Sequence, residues 1–305
     1  MNKTFGVKGK ATFLNNDRKN IIMALLFILP TAYLLVKTFL FPVYQSLVWS
    51  FFHYNLMDGS TTRAVGFENY SEILSSTEFW LAMNRTLIFT VVSVALELVL
   101  GLASAMLLNQ NFKGRAFFRA IIIIPWALLT LVNGLTWEWI FQPGYGGLTV
   151  ILHQLHLLAP DVNPVWLADS NHLIYFVIIA DVWKMTPFMT IILLAGLQTI
   201  SSDLYEASMI DGAGFWKKIS YITIPQLIPS MMMAVILRTM GAFKVYDVLT
   251  VFTGDATTSI SYLTFNNAFR YFFLGKASAM AWLTTIVILI LAIIYIGLLN
   301  KRNEH

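Results

Sequence analysis

Glu97, Asp181, Lys184, Arg238, Lys244 and Asp247 are charged residues that stand inside otherwise apolar stretches. An ionisable group at the centre of a bilayer costs about 2.5–3.5 kcal/mol on insertion scales, so it is normally paired or faces a cavity. With a helical rise of about 1.5 Å per residue, Glu97, Lys184 and Arg238 fall near the midpoints of their stretches. Asp181 lies one helical turn before Lys184, close enough to pair with it. Lys244 and Asp247 sit nearer one interface, and Lys37 snorkels from the end of the first apolar run. Two chemistries remain open for the central charges: ion pairs that lock helices together, or polar groups lining a path for a solute.

Covalent chemistry finds no support. The chain has no Gly-x-x-x-x-Gly-Lys-Ser/Thr loop for nucleotide phosphates, no His-Glu-x-x-His zinc pattern and no Gly-x-Ser-x-Gly elbow. His153 and His156 are three residues apart, a spacing that solvated loop histidines share with metal pairs. Glu138, Asp161 and Asp169 are too scattered to form a catalytic pair. The absence of cysteine excludes disulfides, thiolate metal sites and cysteine nucleophiles.

The elements that must hold these residues are apolar helices. Of the 305 residues, 57% are hydrophobic and only 12% charged, against about 25% charged in soluble domains. Too little polar surface remains to cover one aqueous core. Six segments are long enough to cross a bilayer: Ile21–Phe41, Thr86–Leu108, Ala120–Phe141, Leu173–Leu197, Gln226–Phe252 and Ala279–Asn300. None alternates as a barrel strand does. The first is too long for a signal-peptide core and has no small-x-small cleavage site before Tyr44, so it reads as a retained helix.

Charge sets the orientation. Of the 20 Lys and Arg residues, twelve lie in residues 1–20, 109–119, 198–225 and the tail after Asn300. Four lie in the alternate set of connections: Arg63, Arg85, Arg270 and Lys276. The positive-inside rule then places both termini in the cytoplasm. The expectation is an all-α membrane protein, a single transmembrane domain over residues 1–305. It has six transmembrane helices, a cytoplasmic segment over 1–20 and a cytoplasmic loop over 199–225. With no soluble domain, any energy source belongs to another chain.

That cytoplasmic loop carries the most information. It reads as a short helix, a glycine break and a second helix leading into the membrane. Asp203 is the predicted N-cap, with Glu206 three residues on as in a capping box. Gly212 and Gly214 provide the break, and Pro225 marks the start of the fifth span. A plain amphipathic connector would account for the helices but not for the whole constellation. Glu206, Ala207, Asp211, Gly212, Ala213, Gly214, Trp216, Ile222 and Pro225 stand in an order and spacing that resembles the "EAA" motif of binding-protein-dependent ABC importer permeases. Ser208 replaces the second alanine of the triplet.

The resemblance implies a type I importer permease in a bacterial cell membrane, with the 203–225 loop acting as the coupling helix. Glu206 would make the charge contact with a cytoplasmic ATPase and Gly212 would turn the chain. ATP and Mg would be bound by that ATPase, with no cofactor on this chain. Two ATPases, a second homologous permease and an extracytoplasmic solute-binding protein are the implied partners, besides membrane lipid. Nucleic acid is not among them, because the basic residues read as topology signals.

Further stretches point to the sugar branch, the permeases for maltose, trehalose and related oligosaccharides. They include Phe67-Glu-Asn-Tyr70, Asn84-Arg-Thr86, Gly114-Arg115 with Phe118-Arg119, and Asp181-Val-Trp-Lys-Met-Thr-Pro187. Asp255-Ala256 stands where the family often has Gly-Pro, and the Asn common after Gly147 is missing. A neutral, hydroxyl-rich solute needs aromatic faces and amide or hydroxyl partners. Asn133, Trp137, Trp183, Thr186 and Tyr246 are the candidates, with Lys184 and Arg238 as further donors; packing or an interfacial belt competes at each. A polyol phosphate such as glycerol phosphate is the alternative cargo, with Arg238 or Lys184 as anion partner. An ion-coupled secondary transporter would use the buried charges too, but it predicts inverted repeats, and none is visible.

Overall fold

A computed structural model describes residues 9–57, 62–168, 173–252 and 259–303. Asp169 and Asp255-Ala256 lie outside the described residues.

Apolar sequence becomes helix along nearly the whole described chain. Helices α1 (Gly9–Leu35) and α2 (Phe41–Ser50) run together through a π-helical turn at Val36–Leu40. Pro42 opens α2, where its missing N–H costs little. A two-residue antiparallel hairpin follows, β1 (Phe52–His53) against β2 (Arg63–Ala64), with Phe52 opposite Ala64. Next come α3 (Glu68–Ser75), the long α4 (Thr77–Asn109), α5 (Arg115–Ala127), α6 (Thr130–Ile140) and α7 (Gly147–Gln154). Helix α8 (Leu173–Leu197) leads to α9 (Ser202–Ile210). Helices α10 (Phe215–Lys218) and α11 (Ile224–Ala242) form one continuous rod across the π-helical turn Ile219–Thr223. Helices α12 (Asp247–Phe252), α13 (Ile260–Phe265) and α14 (Leu274–Asn303) complete the described chain.

Among the described residues five stretches are long and apolar enough to cross a membrane, and a bent pair raises the number to six. The pair is α5 and α6, which the sequence reads as one span over Ala120–Phe141. The two helices meet at 93°. The bend falls at Leu128 and Leu129, both with ψ near 140°, so two extended residues interrupt the helix. Pro125 removes a backbone donor just before this break. The fifth span is displaced as well. It begins ten residues before Pro225, with Gly214 as its N-cap, and stops at Ala242 rather than Phe252. Lys244 and Asp247 therefore lie exposed at a break between helices, not inside a span.

Helices α4 and α8 make the most extensive pairing in the molecule. Their largest shared core gathers Phe89 and Val94 of α4 with Val177, Ile178 and Met189 of α8, and α12 covers it through Leu249 and Phe252. Gly101 permits the close approach. A Cβ built there would stand 2.6 Å from Met189 Cβ and 3.3 Å from the Met189 backbone carbon. Gly101→Ala is expected to destabilise the chain by about 1–3 kcal/mol, as overpacking does. Thermal unfolding in detergent measures it, and an unchanged midpoint would contradict the close approach.

A second core closes the opposite part of the bundle, with Ile73, Phe79, Phe243, Ile260 and Met280. Here the Phe67-to-Tyr70 stretch has a structural use. Asn69 Nδ2 donates to the carbonyls of Ser50 and Phe52, each at 2.9 Å, and Tyr70 donates to Ser50 Oγ at 2.7 Å. These bonds tie α3 to the end of α2 and to the hairpin. Thr86 of α4 accepts the backbone N–H of Ile260 at 2.9 Å, which anchors the start of α13. By contrast, the most apolar part of the first rod, in α1, is uncovered by the rest of the described chain, whereas α2 packs along α14.

Candidate functional site

The loop after α8 is built by local capping. Ser201, not Asp203, caps α9: its hydroxyl accepts the N–H of Asp203 at 3.3 Å, and the helix begins at Ser202. Ser201 wins because it holds extended backbone angles (φ −62°, ψ 136°), whereas Asp203 already lies within the helix. At the other end Gly212 takes φ +70°, a left-handed conformation that favours glycine. The N–H of Ala213 bonds to Ser208 O at 2.9 Å, and that of Gly212 to Met209 O at 3.1 Å. This pair of bonds is a Schellman closure, which satisfies the last carbonyls of α9 and reverses the chain. Gly214 then caps the rod of α10 and α11.

One long-range bond fixes the angle of the returning rod. Tyr205 OH lies 3.1 Å from Thr223 Oγ1, so α9 is stapled to the π-helical turn. Ser208, standing where the motif has alanine, is buried, and its hydroxyl donates to Tyr205 O at 2.7 Å. A satisfied hydroxyl explains how serine fits there. Glu206, Ala207 and Asp211 all point outward, and among the described residues Glu206 makes no ion pair. Around them the tip is apolar: Met209, Ile210, Phe215, Trp216 and Tyr221 are all exposed, Ile210 to 88%.

The charges at mid-bundle form a second constellation. Arg238 of α11 donates from Nε to Glu97 Oε2 at 2.6 Å and from Nη2 to Glu97 Oε1 at 2.9 Å, a bidentate fork to α4. The same Nη2 also bonds Asp181 Oδ2 of α8. Arg238 is 4% exposed and Glu97 0%. Asp181 therefore pairs with Arg238, 57 residues away, rather than with Lys184 one turn on. Lys184 instead donates to Thr130 Oγ1 at 2.8 Å, which ties α8 to the start of α6. Thr130 carried no signal in the sequence, because its partner lies 54 residues away.

The other candidates divide into two groups. Asn133 and Trp137 of α6 meet α8. Asn133 Nδ2 donates to Ala180 O at 3.3 Å, while its buried Oδ1 has no partner. Trp137 packs edge-on against Trp183 at 5.9 Å and lies tilted against Phe141 at 5.3 Å. Trp183 stays 41% exposed. Thr186 spends its hydroxyl on Val182 O at 2.7 Å. Tyr246 stands apart, stacked at 4.5 Å on Phe265, which in turn stacks on Phe269. His153 bonds Val162 O through Nε2 at 2.9 Å, and His156 points elsewhere on a left-handed backbone (φ 57°). Lys37 lies 5.8 Å from the centre of the Tyr33 ring.

Comparison with known proteins agrees with this architecture. Residues 97–305 match the family model described as "Binding-protein-dependent transport system inner membrane component". The trehalose/maltose transport system permease protein MalF of Thermococcus litoralis is 41% identical over 287 residues, covering 92% of this chain and 94% of the relative. The trehalose transport system permease protein SugA of Mycobacterium tuberculosis is 34% identical, covering 90% and 88%. Among solved structures, a chain of a bacterial ABC transporter involved in import of the acidic polysaccharide alginate superposes with a TM-score of 0.81. It is 20% identical and covers 94% of this chain and 98% of its own. The fold, the matched span and these relatives identify the chain as a member of the binding-protein-dependent transport system inner membrane components, a multi-pass membrane transport subunit and not an enzyme.

Proposed function

We propose that this chain is the permease subunit of an ATP-driven sugar importer, coupled to a cytoplasmic ATPase through the tip of α9. The observation that carries the proposal is the apolar, exposed tip around Glu206. Met209, Ile210 and Trp216 are exposed around a capped turn at one end of the bundle. Exposed apolar side chains around a lone acid fit a cleft on a protein partner. Ala207, Ala213 and Pro225 keep the loop narrow and stiff; Asp211, Gly212 and Gly214 set its turn. Because Tyr205 staples α9 to the rod that ends in α11, a push on the tip reaches the bundle directly. ATP and Mg bind on the ATPase. Closure of an ATPase pair then opens the bundle outward, and its release returns the bundle inward.

Sugar is the cargo class supported by the relatives, two of which are named for trehalose or maltose transport. Asn133, Trp137, Trp183 and Thr186 form the side of α6 and α8 that would meet a hydroxylated solute, with Lys184 at its edge and Tyr246 on a separate aromatic row. Arg238 serves packing, because both its carboxylate partners already occupy it. That leaves Lys184, bonded to the neutral hydroxyl of Thr130, as the anion partner for the polyol-phosphate reading. The uncovered face of α1 is the surface offered to a second, homologous permease and to lipid. A solute-binding protein delivers the sugar from outside, and the distribution of Lys and Arg supports both termini lying in the cytoplasm.

Reconstitution tests the proposal. Proteoliposomes holding this chain, its partner permease, the ATPases and the binding protein are expected to take up labelled trehalose or maltose only with ATP. Uptake by this chain alone, or driven by an ion gradient without ATP, would sink the reading.

A further inference from the structure

At the end of the bundle that carries α9, helices α4, α5 and α8 enclose an open cleft of about 230 Å³. Its walls are apolar: Leu108 of α4, Ile122 and Ile123 of α5, and Ile191 and Leu194 of α8. Arg119 stands on the α5 wall, three residues before Ile122. Its Nε and Nη2 are shielded from solvent and have no hydrogen-bond partner. Among the described residues no carboxylate pairs with it. One turn earlier, Arg115 has the same defect at Nε, and its Nη1 reaches only Asn111 Oδ1 at 3.4 Å. Phe117 and Phe118, between the two arginines, are exposed at 65% and 47%.

These features belong together physically. Basic residues near the end of an apolar helix reach the headgroup level while their stems lie along apolar surface. A desolvated guanidinium without acceptors is costly, and a phosphate satisfies its fork with two parallel bonds. Basic pockets between transmembrane helices are where anionic headgroups settle. The apolar walls argue against free phosphate, which would gain nothing from Leu108, Ile122 or Leu194. An acyl chain would cover them.

We infer that this cleft binds an anionic phospholipid, its phosphate on Arg119 and one acyl chain against α4, α5 and α8. Arg115 adds a second cation to the headgroup. The site stands apart from the proposed ATPase tip and does not depend on it.

Native mass spectrometry of the full-length chain tests the assignment, with phosphatidylglycerol and phosphatidylcholine of identical acyl chains as probes. The wild type is expected to retain phosphatidylglycerol about fivefold over phosphatidylcholine, the effect of one basic contact at a membrane surface. Arg119→Gln should bring that ratio close to one, while Arg119→Lys keeps most of it, which separates loss of charge from loss of fold. Ala195 of α8 also lines the cleft, so Ala195→Phe fills it with the charge intact and should lower retention of phosphatidylglycerol. Equal retention of the two lipids by the wild type overturns the inference. So does identical behaviour of the Gln and Lys variants, or full displacement of phosphatidylglycerol by millimolar inorganic phosphate, which would mark a bare anion site.

Discussion

Replacing Arg238 with Met is expected to cost the folded chain about 3–5 kcal/mol, the range found when one partner of a buried ion pair is removed. The size follows from what is left behind. Glu97 is fully buried and would lose both of its donors, and Asp181 would lose the cation that joins α8 to α11. A buried polar group stripped of its partner is costly whether it stays charged or takes up a proton. The protein is expected to disappear from the membrane fraction or to unfold at much lower temperature in detergent. A triple variant, Arg238→Met with Glu97→Gln and Asp181→Asn, removes all three charges together. It should recover a large part of the loss, since a neutral hydrogen-bonded replacement carries little desolvation cost. If the single variant were as stable as the wild type, the three side chains would not form a buried network. Uptake per folded molecule separates packing from a pathway role, because a packing residue alters protein level and leaves that ratio unchanged.

Charge reversal at the tip of α9 should have an equally large effect through a different link. Glu206→Lys is expected to weaken ATPase binding tenfold or more, taking about 1.4 kcal/mol per factor of ten and a loss of about 2–5 kcal/mol for a broken charge contact at an interface. Sugar uptake should fall in step. The fold should survive, since Glu206 is exposed, takes no part in capping α9 and makes no ion pair within the described chain. Two readouts are therefore needed: unchanged thermal unfolding of the chain, and loss of ATPase co-purification. Glu206→Gln should lie between the wild type and Lys. Normal transport by the Lys variant would remove Glu206 from the coupling contact.

The two experiments rest on opposite kinds of legibility. The exposed loop could be read locally, because capping, glycine turns and motif spacing are decided by residues within a few positions of one another. Even there the cap slipped by two residues, from Asp203 to Ser201, since either side chain can accept the first free N–H. The existence of the apolar spans was equally legible, because transfer from water to lipid depends on composition and length. Their straightness was not. A run of apolar residues from Ala120 to Phe141 has the same hydropathy whether or not Leu128 and Leu129 are extended, so the 93° bend left no trace beyond Pro125.

Composition and spacing alone thus settled that the chain lives in a membrane, that it is helical, and that one loop carries a motif shared with importer permeases. Long-range partners came from packing. Asp181 had Lys184 within one turn and still paired with Arg238, because the rotation of α8 against α4 and α11 brings the guanidinium between two carboxylates. Lys184, turned toward α6, found Thr130 instead. Which way a helix faces is a property of all its neighbours at once, and a single strand of residues read in order does not contain it.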